Sequence, residues 1–366
     1  MLEGGRIGAR QAVFLMVSMV LPTAFLFVAS VTSHLARQDG WISILLATLA
    51  ALLIARLAVS LSLRFPGKTL FQFTEEILGR WPGKAVTLLY IWWYIHMNAE
   101  IVRQFGSFVV SAFMPETPII FIELLITAIA AYAVRNGLEV FTRVNEIVLP
   151  LILGSVVIII FLVTPEMNMK NLLPVFEYGA VPVIKGAVMP AAWMGEIVTM
   201  AVLIPYLSRA EEAHRIAAAA TLITGFFLAV TQVIDIAIFG PEITAGWLFP
   251  ALNEIRMIHL ANYLERLEAI QMGIWVAGGL VKICVFYWAA ALGSAQWLEL
   301  KDYKPLVLPL GAILLAMSIT LHDSILDLFD FLGRYWGPYA LTIFIAGIPL
   351  LLLAVAAARG RGGSPG

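Results

Sequence analysis

A single cysteine, Cys284, stands among 366 residues; it excludes an internal disulfide and leaves the redox compartment unread. Charge is scarce too. Asp, Glu, Lys and Arg make up 13% of the chain, about half the quarter usual in soluble domains. Neither sign prevails, and a formal net charge of −1 leaves no basic footprint for nucleic acid. No His/Cys/Asp/Glu cluster has metal-ligand spacing, no glycine-rich phosphate loop occurs, and no Ser/His/Asp set is suggested. Nothing therefore calls for a metal, a cofactor or an enzyme. What fills the chain is apolar: 61% hydrophobic residues and a mean hydropathy of +0.92.

Ten windows of about 17–25 mostly apolar residues can be marked out, and about 20 residues at 1.5 Å rise cross a core of about 30 Å. They predict an all-α integral membrane protein, one bundle over 1–366, with spans at 11–31, 41–63, 85–112, 119–134, 145–163, 185–206, 215–239, 268–292, 305–321 and 338–358. The first window is long, contains Pro22 and lacks a small-residue cleavage site, so it reads as a retained span rather than a signal peptide. With the N-terminus inside, most of the 23 Lys and Arg residues fall on the inner side, which places both termini in the cytoplasm. The less apolar stretch 241–265, with Trp247, Phe249 and Ile255 among charges, predicts a surface helix on the extracytoplasmic side. The tail 359–366 predicts disorder.

One stretch organises the rest. In 185–206, Pro190, the pair Ala191-Ala192 and Gly195 interrupt an apolar run, and Glu196 follows at once. Proline removes a backbone donor and glycine adds backbone entropy, so a helix break is expected. A carboxylate inside a span points to a site; the plainer alternative is that Glu196 complements the positive end of a half-helix dipole. Pro22 interrupts the first window at the matching position of a first half. Repeats over 11–163 and 184–358, with five spans each, must be inverted relative to one another, and matching interruptions point to a midplane binding site.

Several short motifs carry a resemblance: Phe65-Pro-Gly-Lys-Thr-Leu70, Met114-Pro-Glu-Thr-Pro118, Arg135-Asn-Gly-Leu-Glu-Val140 with Arg143, Glu146 and Pro150, Asn171-Leu-Leu-Pro-Val175, and Gly195-Glu196. In this order the chain resembles the GerAB-type spore germination proteins, from about Gly8 to the tenth span. That resemblance implies the amino acid–polyamine–organocation superfamily and its LeuT-type five-plus-five inverted repeat, with broken helices 1 and 6. It also implies a role as the B subunit of a nutrient germinant receptor in the spore inner membrane, beside an A subunit and a lipoprotein C subunit. The alternative is a proton-coupled, sodium-independent amino acid permease; a third reading is a ligand-free scaffold.

Where two helices break at mid-depth, free N–H groups suit an anion and free carbonyls a cation, as an amino acid zwitterion requires. Superfamily transporters hold amino acids in this way, and the resemblance carries that site to Pro22, Thr23, Ala24 and Phe25, and to Ala192, Trp193, Gly195 and Glu196. The chain departs from the superfamily pattern in holding Leu21-Pro-Thr-Ala24 where glycines are usual. Trp193 is either an aromatic lid or ordinary packing. Tyr90, Tyr94 and Asn98 share one face of the third span; Asn98 serves either the ligand or helix–helix adhesion. Glu100 and Arg103, spaced i,i+3, are expected to pair with each other. Lys282 lies mid-span, where insertion costs about 2.5–3.5 kcal/mol, so it needs a partner. It is expected to meet the carbonyls that end the first half-helix, in place of the sodium ion of sodium-coupled relatives; the alternative is a structural ion pair.

Overall fold

The computed structural model describes residues 2–257 and 267–362. Every regular element among them is helical. In chain order they are α1 (Ala9–Ala36), α2 (Gly40–Leu63), α3 (Leu70–Leu78), α4 (Arg80–Ala112), α5 (Ile119–Arg135) and α6 (Leu138–Val163). A linker leads to α7 (Ala180–Gly186), α8 (Val188–Gly195), a 3-10 turn (Glu196–Thr199), α9 (Met200–Leu203) and a last turn (Ile204–Tyr206), which together form one interrupted rod. Then follow α10 (Ala213–Phe239), α11 (Pro241–Gly246), α12 (Pro250–Arg256), α13 (Leu267–Trp297) and α14 (Lys304–Thr320). The last rod joins α15 (Ile325–Phe331), α16 (Gly337–Tyr339) and α17 (Gly347–Ala358) through π-helical turns at Leu332–Trp336 and Ala340–Ile345. Among the described residues six stretches are long and apolar enough to cross a membrane, the first of them, Ala9–Leu63, containing both α1 and α2.

A helix that is apolar all round belongs inside a bundle. α1 is buried at every residue from Leu15 to Ser33, and the interrupted rod at every residue from Met189 to Tyr206. These two are the axis of the molecule. The surrounding helices instead carry outward apolar stripes, with Leu49 and Leu53 on α2, Phe121 and Leu125 on α5, and Ile147 and Leu151 on α6 exposed, as lipid-facing helices do.

Neither axial rod is snapped as the sequence predicts. Pro22 lies inside α1, which continues as one helix. It removes one donor, and neighbouring helices can satisfy the backbone group so freed. Pro190 lies within α8; the interruption comes six residues later, where the helix tightens into the 3-10 turn. Backbone angles there stay in the right-handed helical region, from Glu196 (φ −55, ψ −13) to Thr199 (φ −59, ψ −18). No extended gap with facing helix ends forms.

Two further expectations change. In place of one surface helix over 241–265 there are the short α11 and α12, and 258–266 lie outside the described residues. α12 turns Leu252, Glu254 and Ile255 inward, and Phe249 meets the rings of Phe27 and Phe108 edge-on. Of the tail expected to be disordered, the described part is tied down. Arg359 donates to the carbonyls of Ile77 (2.9 Å) and Leu78 (3.3 Å) at the end of α3, and Arg361 to that of Glu76. Cations suit a helix C-terminus, where carbonyls lack internal donors. Leu2 and α3 line one cavity, so both termini lie at the same end of the bundle.

Candidate functional site

The axial rods meet α13 at a buried cluster of charge. Lys282 projects from the middle of α13, and its Nζ lies 2.8 Å from Glu196 Oε2 at the start of the 3-10 turn. The same ammonium donates to Thr23 Oγ1 at 2.8 Å. Thr23 in turn donates to the carbonyl of Val20 at 3.3 Å. The Lys282 side chain is 1% exposed and that of Glu196 is 0%. The Lys282–Glu196 contact has the distance of an ion pair, and Glu196 Oε1 has no hydrogen-bond donor among the described residues. The carboxylate is held by charge and keeps acceptor capacity.

Local sequence explains why the three converge. Pro22 packs beside Gly278 of α13, where a Cβ would stand 2.9 Å from Pro22 Cγ and 2.5 Å from Ile152 Cδ1. A side chain there would hold α13 away from α1, and Lys282 stands one turn further along α13. Gly195 plays the equivalent part on the opposite side: a Cβ would stand 2.6 Å from Ile345 Cγ2 in the last rod. Below the triad an aromatic shelf closes in. Lys282 Nζ lies 5.7 Å from the Phe286 ring centre, Phe286 meets Tyr94 edge-on at 5.6 Å, and Tyr94 donates to Thr199 Oγ1 at 3.3 Å. The chain of contacts thus runs back to the turn that carries Glu196.

Lys282 meets a carboxylate and a hydroxyl instead of the backbone carbonyls expected for it, because α1 has no free end at Pro22 to offer them. Thr23 and Glu196 are brought together, and Tyr94 joins them through Thr199. Pro22 borders the group. Ala24 and Phe25 are buried in α1 and Ala192 in α8, without a polar atom at the triad. Trp193 packs on the last rod, its ring 5.4 Å from that of Trp336. Asn98 is fully buried one turn from Tyr94, and its amide makes no hydrogen bond to any described residue. Glu100 and Arg103 do not pair with each other. Glu100 meets His96 and His322, while Arg103 meets Glu123 and the His322 carbonyl. Thr199 and Phe286 were findable at i+3 from Glu196 and i+4 from Lys282; His322 had no local signal.

Cavities open at both ends. At the end that holds the termini, one of about 790 Å³ is lined by Lys68, Phe71, Glu75, Thr87 and Tyr206 among others. Phe71 is one of its lining residues, and its ring centre stands 6.0 Å from that of Tyr94. At the opposite end, one of about 350 Å³ lies between α1 and the last rod, at Val31, His34, Phe329, Asp330 and Arg334. No group of three or more potential metal ligands occurs among the described residues.

Comparison with known proteins gives a consistent picture. Residues 6–324 match the model of the Spore_permease family, described as "Spore germination protein". Spore germination protein KB of Bacillus subtilis (strain 168) is 26% identical, across 88% of this chain and 87% of its own length. Spore germination protein YndE of the same organism is 25% identical across 98% of both. Among solved structures, Mhp1, a nucleobase-cation-symport-1 family transporter with bromovinylhydantoin bound, aligns with a TM-score of 0.67 and 13% identity over 95% of this chain and 80% of that one. MhsT in complex with L-phenylalanine aligns with 0.64 and 14% over 95% and 98%. The fold is that of these LeuT-type transporters.

Proposed function

The chain belongs to the spore germination protein family, and from that premise we propose that this multi-pass membrane protein is the nutrient-sensing subunit of a germinant receptor. Its ten rods cross the bilayer as two inverted repeats, 11–163 and 184–358, with both termini cytoplasmic, in the spore inner membrane. It works beside a membrane-embedded A subunit and a lipoprotein C subunit.

The observation that carries the reading is the Thr23–Lys282–Glu196 triad. An ion pair with no net charge, enclosed where three helices meet, can open around a zwitterion. The ligand carboxylate then takes Lys282 and its ammonium takes Glu196, so each buried charge exchanges one partner for another and none is left alone. Recognition therefore falls to side chains, with Asn98 supplying a free amide one turn above Tyr94. The surroundings are apolar and aromatic, which favours a small neutral amino acid. Partner exchange changes how the interrupted rod is held, and that rod carries the signal to the partner subunits.

Thermal melting of the purified protein against the natural amino acids tests this. A true ligand at about 100 times its Kd adds about 2.7 kcal/mol of stability, and Glu196→Gln should abolish the shift. A flat screen across all of them argues for the scaffold reading. The likeness to transporters, together with a cavity lined by Phe71, whose ring lies 6.0 Å from that of Tyr94, supports a second reading, a proton-coupled permease. Saturable uptake of a labelled amino acid by the lone chain in liposomes would favour it over the receptor.

A further inference from the structure

A second buried cluster lies away from the triad, at the end of the bundle opposite the termini, where the turn after α14 leads into the last rod. His322 in that turn places Nε2 2.8 Å from Glu100 Oε2 on α4, and Nδ1 3.3 Å from Asp327 Oδ2 on α15. A neutral imidazole has one N–H and one lone pair. With both ring nitrogens facing carboxylate oxygens, a neutral ring would turn its lone pair toward one of them. Only a ring protonated on both nitrogens, or a proton on one of the acids, satisfies both contacts. The group is thus built around one shared proton.

We propose that His322, clasped by Glu100 and Asp327, is a proton-binding site that holds the start of the last rod against α4 while occupied and releases it when the proton leaves. The side chains of His322 and Glu100 are 6% and 1% exposed, whereas that of Asp327 is 57% exposed, so the proton has a way out through α15. The other groups facing this ring fix the direction of the response. On α4, His96 Nε2 lies 3.4 Å from Glu100 Oε1. Arg103 donates to the His322 carbonyl at 2.7 Å and lies 3.4 Å from Glu123 on α5, and Glu123 accepts from Ser318 on α14 at 2.9 Å. Asp323 stands next in the turn, and Phe331 covers the ring at 5.4 Å. Arg103 pins the backbone of the turn whatever the state of the ring, which leaves the His322 side chain as the switchable contact. Burial pulls the imidazole down, and the hydrogen bonds and charges of Glu100 and Asp327 outweigh it, so the net direction is upward from the ordinary value.

Release would be felt at the core. Beyond α15 the last rod packs Trp336 on Trp193 and Ile345 on Gly195, directly behind the turn that carries Glu196. The site shares no residue with the triad, so it stands or falls apart from the ligand reading.

The sign is set by the upward shift. Stability from the bound proton is fully present below the ordinary histidine value of about 6.5 and is lost as pH rises through the higher folded value. Two measurements on the ligand-free, full-length protein from about pH 5.5 to about pH 8.5 test it. The first is the melting temperature. The second is the distance between spin labels at Leu326→Cys on α15 and Phe121→Cys on α5, in a Cys284→Ala background. Melting temperature should fall and a longer distance appear as pH rises, and His322→Gln should remove both dependences. Asp327→Asn, at the exposed edge, should fold normally and move the midpoint to lower pH; it carries the test if His322→Gln does not fold. A label distance indifferent to pH, an unchanged dependence in His322→Gln, or an unmoved midpoint in Asp327→Asn would each overturn the proposal.

Discussion

Lys282 and Glu196 are each costly where they stand, and the cost is tolerable because they stand together. Removing one partner of a buried pair leaves the other charge uncompensated, a loss of about 3–5 kcal/mol. Lys282→Met should therefore destabilise by about that much in unfolding from detergent micelles. The double variant Lys282→Met with Glu196→Gln should recover part of the loss, since it buries no lone charge; a double variant no better than the single one would show that the pair is not the source. Each residue separately was legible in the sequence, as a charge in an apolar run. Their meeting was not, since 86 positions of sequence separate them (282 against 196) and nothing local to either names the other. Thr23 was legible only through Pro22 beside it.

Among the helices, small residues decide how closely the rods approach. α13 reaches α1 because Gly278 leaves room for Pro22 and Ile152. Gly278→Val should cost about 1–3 kcal/mol by overpacking. Gly154→Ala on α6 is the control, since an added Cβ there meets nothing within 4 Å; it should be neutral or stabilise by up to about 1 kcal/mol from helix propensity. Comparable losses in both would mean that glycine flexibility, not close approach, is at work. Proline proved a poorer guide. It marked both axial rods correctly as special, yet Pro22 left α1 continuous and Pro190 lay before the actual interruption. Removing one donor does not unwind a helix that its neighbours hold on every side.

Across the whole molecule, the N-terminal segment straps the bundle at the end that holds both termini. Glu3 Oε2 accepts from the Leu138 N–H (3.0 Å), the Tyr303 hydroxyl (2.9 Å) and Trp288 Nε1 (3.2 Å), and so ties α6, α13 and the start of α14 together. Ile7 then pairs with the end of the interrupted rod: its N–H donates to the Tyr206 carbonyl and its carbonyl accepts from Ser208, both at 2.9 Å. Glu3→Ala would strand the Leu138 N–H and Trp288 Nε1, while the Tyr303 hydroxyl can turn to the Val134 carbonyl at 3.2 Å; it should cost about 2–3 kcal/mol, with Glu3→Gln recovering part. An unchanged melting temperature in Glu3→Ala would remove the strap from the account of stability.

The amino-acid sequence by itself determined the solvent this protein folds in, the helical class and most rod boundaries, because about 20 apolar residues in a row have no other way to satisfy their backbone in lipid. It also determined which charges are exceptional. Partnership was decided only by the tertiary structure: Lys282 with Glu196 and Thr23, His322 with Glu100 and Asp327, Glu3 with three helices at once. A buried charge must find a counterpart, but which one it finds depends on where helices far apart in sequence are brought side by side, and packing alone settles that.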